Sequence, residues 1–277
     1  MIKSDLGTVG SGNWQAVTAS VYRALRPATE VTLLGVRFRV RSEARPSDSG
    51  DRDYFLLQHL ARDKGCILDV GANVGLTALV MAEAMRPDGR LVAFEASEKG
   101  CTLIRDNAAL NQLAGRVLVV NALIAERSGL TLDFYGDAAS GSASIIPGYL
   151  AHHRPLRKVT LALDDFVAQE ELAPDFIKID VEGAELQVIA GLARTMATVR
   201  PLLFVELHTW NDITVAGTAA RLLEQLEPPG YCLVYLRTKS VVTDPAVFAD
   251  RGRCHVLLCP CESPLLGELA TLPTEGL

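Results

Sequence analysis

Aromatic side chains are scarce in this 277-residue chain: eight Phe, six Tyr and two Trp make up 6% of it. That argues against a surface of stacking rings, the usual platform for single-stranded nucleic acid. Positive charge is not in excess either, with 27 Lys and Arg against 33 Asp and Glu and a formal net charge of −6. A broad phosphate-binding face, and with it a nucleic-acid partner, is not expected. No run reaches the roughly 18 apolar residues of a membrane helix, so no membrane association is expected. Met1 to Trp14 mixes Gly, Ser, Asp and Lys around no apolar centre and does not read as a signal peptide. The six cysteines, at 66, 101, 232, 254, 259 and 261, follow no disulfide framework. A reduced, cytoplasmic protein fits them. Cys254, His255, Cys259 and Cys261 lack zinc-ligand spacing, and a strand would splay them apart.

What is present is the ordinary balance of a globular protein, 49% hydrophobic and 22% charged. A chain of this length can bury about three quarters of its unfolded surface. Residues 1–65 read as a small N-terminal cap. In it Val36, Phe38 and Val40 alternate with Arg37 and Arg39 as a half-buried strand over 31–40, and Tyr54, Leu57 and Leu60 fall at helical spacing. From residue 66 short apolar strands alternate with helices, the pattern of a parallel sheet covered on both faces. The strands are CILDV, LVAFE, VLVVN, FIKID and PLLFVEL, with YCLVYL and CHVLLC as a closing antiparallel pair. Helices are expected after CILDV, over 97–112, over 184–196 and around Val215 to Leu226, with Asp164 capping a short one. Residues 66–262 form the main domain. An insert around 126–162 breaks the rhythm with two alternating segments, LTLDF and VTLAL, and a long loop carrying His152 and His153, which are candidates to line a substrate pocket. Residues 263–277 read as a fraying tail.

The sharpest motif is Asp69-Val-Gly71-Ala72-Asn73-Val-Gly75, between a strand and a helix. Gly71 permits a tight turn and Gly75 a close helix approach. A dinucleotide fingerprint needs glycine where Asn73 stands, because pyrophosphate must touch backbone there. Asp69 ahead of the glycines suits a ligand with an amino group, such as the amino-acid end of S-adenosylmethionine. Glu95 ends the second strand, 20 residues after Gly75, where a carboxylate can accept both hydroxyls of a ribose. Asp180 ends the fourth strand, the edge at which open α/β sheets bind ligands. Glu182 and Glu185 follow at the start of a helix, where acids also serve the helix dipole. Glu206 and His208 share one face of the fifth strand. With Asp180 they make either a metal-free base site or a magnesium site held by Asp180 and Glu206.

LDVGANVGLT (68–77), VAFEASE (92–98), FIKIDVEGAELQVIAGL (176–192) and RPLLFVELH (200–208) together resemble the FkbM family of S-adenosylmethionine-dependent methyltransferases. The resemblance covers about half of the chain and implies the class I methyltransferase fold, Rossmann-like, with a seven-stranded, mostly parallel sheet whose last strand is antiparallel. It implies O-methylation of a sugar, polyketide or other secondary metabolite, with S-adenosylhomocysteine as product. The cofactor set it carries over is Asp69, Gly71, Ala72, Asn73, Gly75, Thr77, Glu95, Ala96, Asn121 and Asp180. The family commonly has proline where this chain has Ala96. The catalytic candidates are Asp180, Glu182 and His208, with magnesium at Asp180 and Glu206 as the metal version. A macromolecular acceptor such as protein or glycan, a nicotinamide oxidoreductase and a non-catalytic S-adenosylmethionine-binding protein stand as alternatives. The cap is read as a lid or as the contact of a homodimer.

Overall fold

The computed structural model describes residues 27–46, 53–136, 143–146, 154–249 and 251–274. The first described elements are a hairpin of β1 (Ala28–Leu33) and β2 (Val36–Arg41). Leu34 and Gly35 both take positive φ, 53° and 79°, as a two-residue hairpin turn demands. The single strand expected over 31–40 is therefore two. Phe38 and Val40 on β2 are buried, and Arg37 and Arg39 face out. After α1 (Tyr54–Ala61) the alternation begins: β3 (Cys66–Val70), α2 (Leu76–Ala84), β4 (Arg90–Glu95), α3 (Glu98–Leu110) and β5 (Val117–Asn121). The insert contains β6 (Leu123–Ile124), β7 (Thr131–Gly136), β8 (Ala143–Ser144) and β9 (Leu156–Leu161). Then come α4 (Leu163–Gln169), β10 (Phe176–Ile179), α5 (Glu185–Ala190), α6 (Ala193–Thr198), β11 (Leu202–His208), α7 (Val215–Leu226), β12 (Tyr231–Tyr235), β13 (Ser240–Val241) and β14 (Arg253–Pro260).

The main sheet runs β13-β12-β14-β11-β10-β3-β4-β5. The five strands from β11 to β5 are parallel, as strands joined by helical crossovers must be. β14 lies antiparallel to both β11 and β12. This is the class I methyltransferase order, with the two-residue strand β13 raising the expected seven strands to eight. Alternation sends Ile67, Leu91, Ala93, Phe176, Phe204 and Leu257 into a core beneath α1, α2 and α3. Leu68, Val70, Phe94, Ile177, Val205 and Val256 face a second core beneath α4 to α7. Apart from Ala93, each such side chain contributes about 1.5–3 kcal/mol by leaving water. Helix α2 is apolar around most of its circumference because it is enclosed by the sheet, α1 and α3.

Two devices tie the periphery to this frame. Asn107 on α3 and Asn111 just past its end present side-chain oxygens to the backbone N–H groups of Arg41 and Arg39, at 2.8 and 2.9 Å, and Asn111 donates back to the Arg39 carbonyl at 2.7 Å. The buried Arg41–Asp106 pair, 3.0 Å apart, lies beside them. The insert forms its own sheet, β6-β9-β7-β8, in which β7 and β9 are antiparallel as LTLDF and VTLAL suggested.

Several local expectations change. The helix expected over 184–196 is broken into α5 and α6 at Gly191, which the Ala125 carbonyl approaches so closely that no side chain fits there. Asp164 does not cap its own helix. It reaches across to α6, accepting from the N–H groups of Arg194 and Thr195 and from the Thr195 hydroxyl at 2.7–2.8 Å. Cys232 and Cys261 form a disulfide, against the expectation of free thiols throughout. Pairing of β12 with β14 sets Cys232 opposite Cys259, and Cys261 follows on the same side. The tail does not fray through 274: Leu269 and Leu272 are buried in the first core. His152 and His153 lie outside the described residues. Among the described residues no helix is long and apolar enough to cross a membrane.

Asp164→Ala removes the cap of α6 and leaves its first N–H groups unpaired. The expected cost is about 1–2 kcal/mol, read as a lowered urea midpoint with an unchanged slope.

Candidate active site

The chain runs outward from β3 to β5 and then returns to β10 on the other side of β3. The carboxyl ends of β3 and β10 therefore flank a topological switch point, where such sheets bind ligands. A cleft partly open to solvent lies there, lined by the strand ends, the glycine turn and the insert.

Beneath it, register places Lys178 beside Asp69. The Lys178 ammonium is buried, 3.4 Å from Asp69 Oδ1, 3.3 Å from Asp180 Oδ2 and 3.5 Å from the Gly71 carbonyl. Burial alone would depress its pKa, but Asp180 and Asp69 outweigh that and hold it above the ordinary lysine range. Burial lifts the Asp69 carboxyl, opposed by Lys178 and by the Thr77 hydroxyl at 3.0 Å.

Above this pair the glycine turn is tightly closed. Gly71 has φ 77°, and a side chain there would collide with the Asp180 carbonyl. The N–H groups of Gly71 and Ala72 both donate to the Phe94 carbonyl at 3.0 Å. Asn73, at φ 52°, donates its N–H to Glu95 Oε2 at 2.9 Å. That N–H is the group a dinucleotide turn would aim at pyrophosphate, so the geometry disfavours the nicotinamide alternative. Glu95 Oε1 accepts from the Ser97 N–H at 2.8 Å. Burial, with Asp69 adding to it, raises the Glu95 carboxyl to about 7 against the pull of its two N–H donors. The Asn121 side chain ties down the turn after β4 by donating to the carbonyls of Glu95 and Ala96 at 2.8 and 3.0 Å. Alanine in place of the family's proline therefore leaves Glu95 anchored.

Of the cofactor set read from sequence, Gly71, Asn73, Glu95, Ala96 and Asp180 line the cleft. Asp69, Ala72, Gly75, Thr77 and Asn121 stand behind it and shape the turns. Phe94, Ala122, Leu123, Ile124, Phe134, Ser144 and Ile145 also line it. They were not read from the sequence because they look like ordinary core and insert residues.

Next to Asp180, His208 is surrounded by acids. Its Nδ1 lies 2.8 Å from Glu185 Oε1. Its Nε2 lies 3.8 Å from Asp180, 3.6 Å from Glu182 and 3.6 Å from Glu206. Burial would lower the His208 pKa, but the Glu185 hydrogen bond and the charges of Asp180, Glu185 and Glu182 raise it to about 9. Glu185, 1% exposed, also accepts from the Gly183 N–H at 2.9 Å. It orients a histidine, beyond any service to the helix dipole. Glu206 faces Arg253 at 2.9 Å and His255 at 3.6 Å. Against the upward push of burial, His255, His208 and Arg253 bring it down to about 2. Asp180, Glu182 and His208 hold one ligand atom each within 4.8 Å of one another, a donor set that would suit a hard divalent cation. That set differs from the Asp180–Glu206 pair expected.

A class I methyltransferase sheet with a glycine turn, a strand-end acid and a second acid at the switch point defines the chain as an S-adenosylmethionine-dependent methyltransferase. Residues 69–228 match the model of the methyltransferase FkbM domain, and the chain belongs to that family. It is 28% identical over 191 residues to the 2-O-methyltransferase NoeI of Sinorhizobium fredii, covering 62% of this chain and 76% of that one. It is 25% identical over 224 residues to the hexuronic acid methyltransferase AglP of Haloferax volcanii, covering 77% and 88%. Among solved structures it is similar to methyltransferase FkbM from Methylobacillus flagellatus, at 16% identity and TM-score 0.46, covering 72% of this chain and 44% of that one. The O-methyltransferase from Bacillus cereus in complex with SAH is 18% identical, with TM-score 0.45 and coverage of 92% and 93%.

Two outcomes follow from these charges. Lys178→Ala strands Asp69 without its cation and is expected to cost roughly 3–5 kcal/mol in denaturant unfolding. Glu95 is protonated more readily folded than unfolded, so its contribution to stability is full below pH 4.5 and is lost as pH rises through about 7. Thermal unfolding of ligand-free protein across that window should slope downward with pH, and Glu95→Gln should remove that part of the slope.

Proposed function

We propose that this enzyme transfers the methyl group of S-adenosylmethionine to a hydroxyl of a sugar. One observation carries the reading: the acid–histidine cluster around His208 adjoins the same cleft as Glu95, with Asp180 and Glu182 lining that cleft. The printed activities of the two relatives, 2-O-methylation and hexuronic acid methylation, support a sugar acceptor. In this reading Glu95 accepts the ribose hydroxyls, and Gly71 lets the backbone close beneath the ligand. Asp69 and Lys178 fix the turn from behind. Asp180 lies toward the positive end of the ligand.

The cofactor supplies an electrophilic methyl group on a sulfonium. The protein's part is alignment, which can supply about 7–11 kcal/mol, and removal of the hydroxyl proton. We assign the proton to His208 Nε2. Glu185 holds Nδ1–H, so the lone pair lies on the cleft side, the arrangement by which a carboxylate orients a histidine base. In the ligand-free protein the surrounding acids keep this ring protonated near neutral pH. Asp180 and Glu182 would lie beside the positive charge of a bound donor, and that charge would oppose protonation of the ring and favour its basic form. No step is assigned to magnesium, and turnover is expected to survive exhaustive chelation.

The test is labelled methyl transfer from S-adenosylmethionine into fractionated extract. Label among small saccharides supports the reading, and label confined to macromolecules moves the acceptor to protein or glycan. A base must be deprotonated to act, so kcat/KM for the acceptor at saturating S-adenosylmethionine should rise with pH and level off below about 9, the value His208 has without the donor. His208→Gln should erase that rise and lower kcat by about 10²–10⁴. Asp180→Asn should weaken cofactor binding as well as turnover. Near-normal turnover in both variants overturns the assignment.

A further inference from the structure

We propose that Asn107 is a positioning residue for the methyl donor: it holds the glycine turn in its binding shape and makes the N-terminal hairpin part of that hold. The inference rests on the donor reading above, in which Glu95 accepts the ribose hydroxyls and the backbone of the turn closes beneath the ligand.

Asparagine is a poor occupant of a helix interior and of a core. Asn107 nevertheless stands inside α3 and is fully buried. A buried amide must find partners, and this one finds them on two separate elements. Its Nδ2 donates to the Val74 carbonyl at 2.9 Å, and its Oδ1 accepts from the Arg41 N–H at 2.8 Å. One side chain thus joins the glycine turn to β2.

The turn needs such a hold. Asn73 has a side chain and sits at φ 52°, between Gly71 at 77° and Gly75 at 87°. Left-handed backbone at a non-glycine residue persists where its surroundings over-determine it. On the cleft side, Glu95 Oε2 takes the Asn73 N–H at 2.9 Å. On the far side the Val74–Gly75 peptide is pinned at both ends, its N–H by the Ala72 carbonyl at 2.8 Å and its C=O by Asn107. Helix α3 also presses on Gly75, where a side chain would stand 3.1–3.2 Å from Ile104. Ile104 and Asn107 are three residues apart and share that face of the helix. Without the Asn107 amide the Val74 carbonyl loses its donor, and the strain at Asn73 is released from that side. Glu95, which the Asn73 N–H helps to orient, then meets the ribose less well prepared.

The other end of the same amide carries the hold to the hairpin. Binding at the turn and docking of β2 are therefore linked, and linkage is reciprocal. Asn111 supplies the contrast. It ties the same strand through Arg39, and its remaining bond goes to the Asn107 carbonyl at 2.7 Å.

The test titrates S-adenosylhomocysteine by calorimetry into the full chain and its variants, with thermal unfolding of the ligand-free proteins alongside. Asn107→Ala is expected to weaken binding roughly tenfold, as the loss of a donor to a buried carbonyl implies. Asn107→Asp, which when ionised still accepts from the Arg41 N–H but cannot donate to Val74, should weaken it similarly. Asn111→Ala should lower the unfolding temperature and leave the affinity nearly unchanged. Amide exchange across β2 should slow when S-adenosylhomocysteine is added to the unaltered protein and should not respond in either Asn107 variant. Unchanged affinity in both Asn107 variants overturns the proposal. So does a loss of affinity in Asn111→Ala as large as in Asn107→Ala, which would mark a merely structural tie, and so does exchange in β2 that ignores the ligand in the unaltered protein. If Asn107→Ala does not fold, Asn107→Asp and the exchange measurement decide. Failure of the unaltered protein to bind S-adenosylhomocysteine, or undiminished binding by Glu95→Gln, instead overturns the donor reading beneath.

Discussion

One buried ammonium organises the active end of this protein. Lys178 stands in the middle of an apolar strand, and its charge is tolerable there only because Asp69 and Asp180 flank it. The three groups cross-link β3 to β10 at the point where the chain reverses its path through the sheet. Behind the glycine turn they hold Asp69, and at the cleft they hold Asp180. A buried pair of this kind is weak evidence for net stability, since matched apolar residues can do as well. Its effect here is positional: two neighbouring strands carry their acids to fixed places.

From that base the site divides into two faces. Glu95 stands on the β4 side, gripped by the N–H groups of Asn73 and Ser97. His208 stands on the β11 side, gripped by Glu185. Neither group is held by its own strand alone. In each case a turn from another part of the chain supplies the partner, so both groups arrive oriented before any ligand does. The charges are also set against each other. Glu95 is starved of water and resists ionisation, while His208 is crowded by acids and resists neutralisation. Each would be moved toward the opposite form by a bound molecule that offers hydroxyls to one and positive charge near the other.

Much of this was legible in the sequence because it depends on local pattern. Alternating apolar strands, a glycine turn and acids at strand ends follow from short-range spacing, and they locate the sheet and the cleft. What was not legible depends on pairs far apart in the chain. Glu185 resembles any acid in a first helical turn until β11 brings His208 to it. Asp164 resembles a cap for its own helix until the chain folds α6 over it. Cys232 and Cys261 show no framework spacing, and only the pairing of β12 with β14 joins them. Gly191, where the helix breaks, has no room for a side chain beside the Ala125 carbonyl, a neighbour no helical periodicity reveals. Lys178 gave the clearest unused signal, a charge with apolar residues on both sides in FIKI (176–179).

The insert sheet gives the enzyme an uneven tolerance to change. The cofactor wall is made of strand ends and turns packed into both cores, where most substitutions are felt throughout the fold. Phe134, Ser144 and Ile145 reach the same cleft from β7, β8 and the residue beyond it, in a separate four-stranded sheet that attaches after β5 and rejoins the frame before α4. That wall can be recut with little disturbance to the main sheet. A lineage, or a designer, can therefore reshape that side of the cleft by rewriting a short outlying ribbon while the strand ends and turns opposite it stay as they are.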